Sequence, residues 1–504
     1  MSEYILAHDL GTSGNKATLF GVNGELIGSC TYAYDVYYDQ PLWAEQDAND
    51  WWKAVCGSTK ELMENYQINP ETIKAVSFSG QMMGCLPVDA EGRPLRRSII
   101  WADQRARKQA EKIAEKIDDK RFYKIVGHRN TASYGIQKAM WIKDHQPEIY
   151  EKTYKFLNAK DYMVYRLTGK FYTDCSDANS MACFDLEKRD WSEEIVAASG
   201  IDPEKLPTVV ESIHYVGNVT EKAAEETGLS INTKVILGAG DGVAANVGAG
   251  SVAPGKAYCC LGTSAWVAST TEEPVFDEEM RIFCWAHAVP GMYSPNGTMQ
   301  YAGGSFKWMK ETLCDDEAKE AKEQGRSAYE IINQKIEECN PGADGVIFLP
   351  HLLGERAPRW NPDAKGTFYG LTATTTKNQM LRSVMEGVVM NLGNCFDILK
   401  QQNAIQELLL IGGAARSNQW QKSIADIFQT KVVVPEYLEE ANSMGAAVIA
   451  GVGAGIFEDF SVIEQFIKVR EEVHANQENK QVYEKLREVY NALYKALEPI
   501  FVLK

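Results

Sequence analysis

The tetrapeptide Leu-Gly-Thr-Ser is written twice in this chain, as Leu10–Ser13 and as Leu261–Ser264, almost half a chain length apart. Each copy lies between apolar runs rich in strand formers: YILAHD and KATLFGV around the first, KAYCC and AWVAS around the second. Each therefore reads as strand, tight glycine turn, strand. A single match of this length is a chance event. Two matches with like flanks, one near the start of each half, predict two similar lobes. The copies differ at the preceding position, which is Asp9 in the first and Cys260 in the second. A carboxylate at one turn and none at the other predicts lobes with unequal duties.

A length of 504 residues exceeds one ordinary core and predicts two domains. They are expected over 1–250 and 251–504, because GAGSVAPG interrupts the pattern near Gly250–Pro254. The net charge of −17 argues against nucleic acid, whose backbone needs a Lys/Arg surface. It leaves room for a phosphate ligand, since a pocket can be locally positive or carry a cation. The weakly charged stretch 235–255 is rich in Gly and Ala, carries Asp241, and is too polar for a membrane span. The start, MSEYILAHDL, lacks the basic and apolar regions of a secretory signal. Eleven cysteines without a CxxC pair fit a reduced, cytoplasmic compartment better than a disulfide framework. Cys284 and His287 have ligand-like spacing, but no second pair of ligands stands near, so burial is favoured over a zinc site.

Strand-like and helix-like segments alternate along both halves. Strands are expected at Ala75–Ser79, Val235–Leu237, Ala257–Leu261, Gly345–Leu349 and Leu408–Ile411, and helices at about 377–399, 418–428 and 480–497. This interleaving predicts an α/β fold with helices packed on mixed sheets. In the last helix Val482, Leu486, Val489, Leu493 and Leu497 share one face, the expected packing face.

Three glycine turns carry the chemistry. In DLGTSGNK, Gly11 and Gly14 loosen a turn whose successive N–H groups can wrap a phosphate, with the Thr12 and Ser13 hydroxyls as added donors. Asp9 can hold a metal ion there, and Lys16 can balance charge on a transferred phosphoryl. The alternative for this motif is an ordinary hairpin whose Asp and Gly serve turn geometry. A third turn, IGGAARSN (Ile411–Asn418), follows a strand and opens a helix, where N–H groups and the helix dipole favour phosphate. None of these turns contains a full GxGxxG or Walker pattern. Asp241, between Gly240 and Gly242 after a buried strand, is placed to accept a proton from a hydroxyl attacking phosphorus; the competing reading is a helix N-cap.

Taken in order, DLGTSGNK, PLWAEQDANDWW (41–52), SGQMMG (79–84), WADQRA (101–106), LTGKFYTDCSDA (167–178), GAGDGVAANVG (238–248), LGTSAW (261–266), FLPHLLGERAPRWNP (348–362) and GTFYGLTATTTKNQMLRSVMEG (366–387, closed by Glu386) resemble the FGGY carbohydrate kinases over nearly the whole chain, with the xylulokinases nearest. The resemblance implies the two-domain actin/Hsp70-like, ribonuclease H-like ATPase fold, with sugar and ATP in the interdomain cleft. It implies Asp241 as catalytic base and Asp9 as a carboxylate facing metal or phosphate, with ATP and Mg2+ as cosubstrate and cofactor. Thr12, Ser13 and Lys16 would face the γ-phosphate, and Gly262, Thr263 and Ser264 the other phosphates. Gly303, Gly412, Gly413, Ala414 and Asn418 would surround the nucleotide. The sugar would lie near Gln81, Met82, Met83, Trp101, Asp103, Asp241 and Gly242. The reaction implied is transfer of the γ-phosphate to a ketopentose, D-xylulose giving D-xylulose 5-phosphate, and a homodimer is compatible with it.

Two positions depart from the xylulokinase pattern: Met83 stands where His is typical, and Gly242 where Asn is typical. Each change removes a side chain able to bond a sugar hydroxyl, worth about 1–3 kcal/mol if that hydroxyl is left unpaired. Gluconate, ribulose, erythrulose or a polyol are therefore alternative substrates. A non-catalytic sugar and nucleotide sensor is the alternative of another class, and the presence of Asp9, Lys16 and Asp241 together speaks against it.

Overall fold

Tyr4–Leu10 and Gly14–Gly21 form an antiparallel hairpin around the first Leu-Gly-Thr-Ser, and Lys256–Leu261 and Ala265–Ser269 form another around the second. A computed structural model describes residues 2–436 and 440–503 of the chain. In both hairpins the first strand also pairs in parallel with a later strand, Ile73–Gly80 in one case and Glu407–Ile411 in the other. The halves thus share a strand plan. The turns themselves differ: Leu10 pairs with Asn15, enclosing Gly11–Gly14, whereas Leu261 pairs with Ala265, enclosing only Gly262–Ser264.

Two compact units result. The first comprises Met1–Val252, Thr270–Ser294 and Glu440–Ile467; the second comprises Ala253–Ser269, Pro295–Glu439 and Lys468–Lys504. The chain first passes between them at Val252, where the sequence pattern breaks. Two later segments, Thr270–Ser294 and Glu440–Ile467, return to the first unit.

The first unit is built on a mixed sheet ordered Tyr215–Asn218, Lys234–Ile236, Ile73–Gly80, Tyr4–Leu10, Gly14–Gly21, Leu26–Ala33, with Ala239–Gly240 also paired to Ile73–Gly80. Its central strand is buried on both sides, as a strand covered by helices on both faces must be. Ile5 and Ala7 pack with residues of Asp241–Gly248 and Ala441–Gly453, while Leu6 and Leu10 pack with Trp51, Val55, Tyr162 and Met163 from Ala48–Asn65 and Ala159–Thr168.

Helices Asp241–Gly248 and Ala441–Gly453 touch backbone to backbone, which only their small residues permit. A Cβ on Gly445 would lie 1.9 Å from the Ala244 carbonyl oxygen, and one on Gly248 would lie 1.8 Å from that of Ala441. Gly445→Ala is therefore expected to cost about 1–3 kcal/mol by overpacking, read as a lowered melting temperature. An unchanged transition would mean that the helix pair opens without strain.

In the second unit the sheet runs from Pro295–Met299 through Ala265–Ser269, Lys256–Leu261, Glu407–Ile411 and Lys431–Pro435 to Val469–Val473. Helices Lys377–Gln402 and Asn418–Phe428 cover it. Glu386 is buried in the first of these and accepts bonds from Arg382 Nε at 2.7 Å, Tyr483 Oη at 2.7 Å and Gly342 N at 3.1 Å, so its role is structural. The last helix, Lys480–Phe501, packs through a face the sequence pattern did not single out. Tyr483, Tyr490, Tyr494 and Phe501 are buried, while Val482 and Val489 of the aliphatic stripe are exposed. No helix among the described residues is long and apolar enough to cross a membrane.

Candidate active site

Parallel pairing fixes the centre of the first unit's site. Asp9 lies opposite Ser79, and Ala239 and Gly240 lie opposite Ser79 and Gly80. The carboxyl ends of three strands therefore deliver Asp9, Ser79–Gln81 and Gly240–Asp241 to one edge of the sheet. Such an edge is where open α/β sheets bind ligands.

Asp241 begins the helix Asp241–Gly248, but it is not the cap. Gly240 occupies that position, and the Asp241 carboxylate accepts from the adjacent Gly242 N at 2.7 Å. Burial and the nearby Asp9 charge push its carboxyl up to about 7. Asp9 is also raised by burial, against hydrogen bonds from Ser79 Oγ at 2.7 Å and Asn442 Nδ2 at 3.3 Å and the charge of Lys16. Two carboxylates that feel each other's charge, neither in an ion pair among the described residues, suit a bound cation.

The Gly11–Gly14 turn is secured through its carbonyls. Gly11 O accepts from Tyr34 Oη at 2.6 Å, Thr12 O from Gln46 Nε2 at 2.7 Å and Ser13 O from Tyr34 N at 3.2 Å. With those oxygens tied back, the Thr12 and Ser13 N–H groups have no protein acceptor among the described residues, the arrangement of an anion-binding nest. Lys16, opposite Asp9 in the hairpin, forms an ion pair with Glu440 at 2.7 Å.

The expected sugar residues divide into a rim and a support. Trp101 is 39% exposed and donates through Nε1 to Thr12 Oγ1 at 2.9 Å. Met83 is partly exposed at φ +61°, with its N–H bonded to Ser180 Oγ at 3.0 Å and its carbonyl to Lys138 Nζ at 2.7 Å. Met82 is buried against Gly240, and Gln81 is buried and donates to Gln46 Oε1 at 2.6 Å. Asp103 departs from expectation. It is fully buried, and its carboxylate is taken up by Arg105 and by Ala44 N at 2.6 Å. Its own N–H bonds Ile100 O at 3.1 Å, closing the turn that carries Trp101. A Cβ on Gly242 would meet nothing within 4 Å, so open space stands beside Asp241.

In the second unit the expected nucleotide residues do converge. Gly262 O accepts from Gly303 N at 3.0 Å, and Thr263 O accepts from Ala302 N at 2.8 Å and Gly304 N at 3.1 Å. Gly412, at φ +89°, passes so near Leu261 that a Cβ would lie 2.8 Å from its carbonyl oxygen. The Gly262–Ser264 turn, Gly303 and the Gly412–Ala414 segment are thereby gathered together. A 3-10 turn, Gly413–Arg416, intervenes before the helix Asn418–Phe428, so the helix start is displaced from the strand end. Gly413 and Asn418 are exposed, and a Cβ on Gly413 would meet nothing within 4 Å, as a surface for a flat ligand requires.

Several residues at the site escaped sequence reasoning: Ser79, Asn442, Glu440, Lys138 and Ser180. Ser79 lies within an expected strand, and strand register alone would have aligned it with Asp9. Asn442 and Glu440 stand more than four hundred residues from their partners, and only the small-residue composition of ANSMGAAVIAG hinted at a close helix contact.

Comparison with known proteins agrees with this geometry. The model of the FGGY family of carbohydrate kinases, N-terminal domain, matches residues 4–248, and that of the C-terminal domain matches residues 257–454. A xylulose kinase of Staphylococcus epidermidis is 34% identical over 98% of this chain and 97% of its own length. A gluconokinase of Bacillus licheniformis is 32% identical over 99% of this chain and 97% of its own. Crystal structures of a gluconate kinase and a ligand-bound xylulose kinase, both from Lactobacillus acidophilus, each match with a TM-score of 0.91 at 26% identity. The first covers 99% of this chain and 98% of its own, and the second covers 98% of both. With both halves matched in order and the sheet edge carrying Asp9 and Asp241, the chain belongs to the FGGY family of carbohydrate kinases.

Proposed function

We propose that this sugar kinase transfers the γ-phosphate of ATP to a hydroxyl of D-xylulose, with Asp241 as the general base. The observation that carries the reading is the placement of Asp241: a carboxylate at the strand ends, in no ion pair among the described residues, with open space at Gly242. As the substrate oxygen bonds to phosphorus, Asp241 takes the hydroxyl proton, and the bond to the departing ADP oxygen breaks. Thr12 and Ser13 N–H groups stabilise the phosphoryl oxygens. Asp9, fixed by Ser79 and Asn442, would hold Mg2+, which would neutralise phosphate charge. Lys16 must exchange Glu440 for phosphate to assist. Gly262, Thr263, Ser264, Gly303, Gly412, Gly413, Ala414 and Asn418 form the nucleotide surface of the second unit in this reading.

Gluconate is the second reading, favoured by the same open space. Where an Asn side chain would fill the site beside Asp241, Gly242 leaves room for a differently substituted acceptor. Relatives named gluconokinase align over the same span as those named xylulose kinase. Coupled ADP release with D-xylulose, D-ribulose, erythrulose, gluconate and polyols separates the two. The expected result is highest kcat/KM with D-xylulose; a preference for gluconate of tenfold or more would replace the substrate assignment and leave the base assignment standing.

A further inference from the structure

We infer that the short buried helix Cys175–Ser180 is a positioning device that sets the base and the sugar turn in register, anchored by Lys160. The inference rests on the reading of Asp241 as base. Lys160 has no exposed side-chain surface, and its Nζ is shared by Asp161 at 2.7 Å, Asp174 at 3.0 Å and Asp177 at 3.3 Å. One buried ammonium thus joins the starts of two helices. Asp161 closes the capping box of Ala159–Thr168, and Asp174 caps Cys175–Ser180.

From that anchor two hydroxyls reach the site. Asp174 Oδ2 accepts from Ser176 Oγ at 2.6 Å, and Ser176 Oγ in turn accepts from Gly240 N at 2.9 Å, the residue before Asp241. One turn along, Ser180 Oγ donates to Asp177 O at 2.9 Å and accepts from Met83 N at 3.0 Å. Asn158 ties the same region together, donating to Asp177 O at 3.3 Å and accepting from Gly84 N at 3.0 Å. Lys160 also packs directly under the strand that leads to Gln81, because a Cβ on Gly80 would lie 2.8 Å from its own Cβ.

The anchor is costly. Three carboxylates share one ammonium out of water, and Asp177 Oδ1 has no hydrogen-bond partner among the described residues. An apolar core of equal volume would hold the helix at least as firmly. What the polar version adds is direction: a cap that points Ser176 at one loop while Ser180 faces another.

The two serines act on different substrate-facing segments, so they predict different kinetic losses. Ser176→Ala frees the Gly240 N–H and is expected to lower kcat by about 10- to 100-fold, as a displaced base does, with sugar KM unchanged. Ser180→Ala frees the Met83 N–H and is expected to raise sugar KM by about 2- to 10-fold, the loss of one hydrogen bond, with kcat nearly unchanged. Ser176→Thr, which keeps the hydroxyl, should recover most of the lost kcat. Lys160→Met should show both losses if it folds, and the serine variants carry the test if it does not. Equal movement of kcat and KM in both serine variants, or unchanged kinetics with only a lowered melting temperature, would overturn the positioning role. Asp241→Asn run alongside keeps the outcomes apart: full turnover there removes the base assignment itself, whereas its inactivity beside a fully active Ser176→Ala removes only this inference.

Discussion

Replacing Asp241 by asparagine is expected to lower sugar-dependent turnover by about 10²–10⁴-fold while ATP binding persists and the protein becomes more stable. On the proposed reading the first outcome follows from the lost base, and the second from ATP resting on the Gly262–Ser264 and Gly412–Ala414 surface, which the substitution does not change. The third comes from electrostatics. The folded protein raises the Asp241 carboxyl from 3.8 to about 7, so its ionised form is disfavoured by folding. The penalty is absent below pH 4, grows as pH rises, and is complete above pH 7, where it reaches at most about 4 kcal/mol. Asparagine has the same shape and no charge to bury. A residue that costs stability and supports turnover has the signature of a functional site. Equal melting temperatures at pH 8 would refute the electrostatic account, and near-normal turnover would refute the base. For the wild type, the acid limb of kcat/KM should fall near pH 7 or below.

Mild acid should unfold the first unit before the second. His8, His128 and His287 all belong to the first unit, are fully buried, and are pushed down by burial to about 3, 4 and 3. Each is fixed as a neutral ring: His8 bonds Asn15 at 3.1 Å and stacks on Phe78, His128 bonds Asn179 O at 3.1 Å, and His287 bonds Ser251 O at 3.1 Å. Because these folded values lie below the unfolded 6.5, the unfolded chain takes up protons first. The stability they confer is complete above pH 6.5 and is lost as pH falls toward 4. Each histidine contributes about 1.4 kcal/mol per pH unit over that range, so the three together remove about 4 kcal/mol per unit, of which protonation of Asp241 returns about 1.4 and the raised Asp9 and Asp177 return more. Against a typical total of about 5–15 kcal/mol, the net loss should open the first unit first near pH 4.5. Hydrogen exchange resolved by segment should show residues of the first sheet losing protection between pH 6 and 4.5. Exchange that rises equally in both units would contradict the assignment to these histidines.

The hairpins were legible because strand alternation and glycine turns are local signals, and the repeat supplied the pairing of halves. Asp241 was legible as well, but its competing reading as a cap could be excluded only by coordinates, which put Gly240 in that position. The last helix misled for a physical reason. Aliphatic spacing marks a face, yet the larger rings of Tyr483, Tyr490 and Tyr494 are the ones buried, and the Tyr483 and Tyr490 hydroxyls find polar partners in Glu386 and Asn391. Asp103 looked like a ligand-facing acid because nothing in WADQRA tells that Arg105 folds back onto it. The anchor at Lys160 was invisible altogether, since its partners are brought together only by the packing of two separate helix starts.

The return of Glu440–Ile467 to the first unit bears on how this chain is made. The helix that lies against the central strand, and the Asn442 that holds Asp9, are encoded 433 positions after the carboxylate they serve. At ordinary synthesis rates of about 5–20 residues per second, Asp9 waits roughly 20–90 s for that partner. During that time the face carrying Ile5, Ala7, Ala75 and Ile236 lacks the cover of Ala441–Gly453. The unit translated first is thus among the last to be completed. A nascent chain stalled before residue 440 should present that apolar face to chaperones.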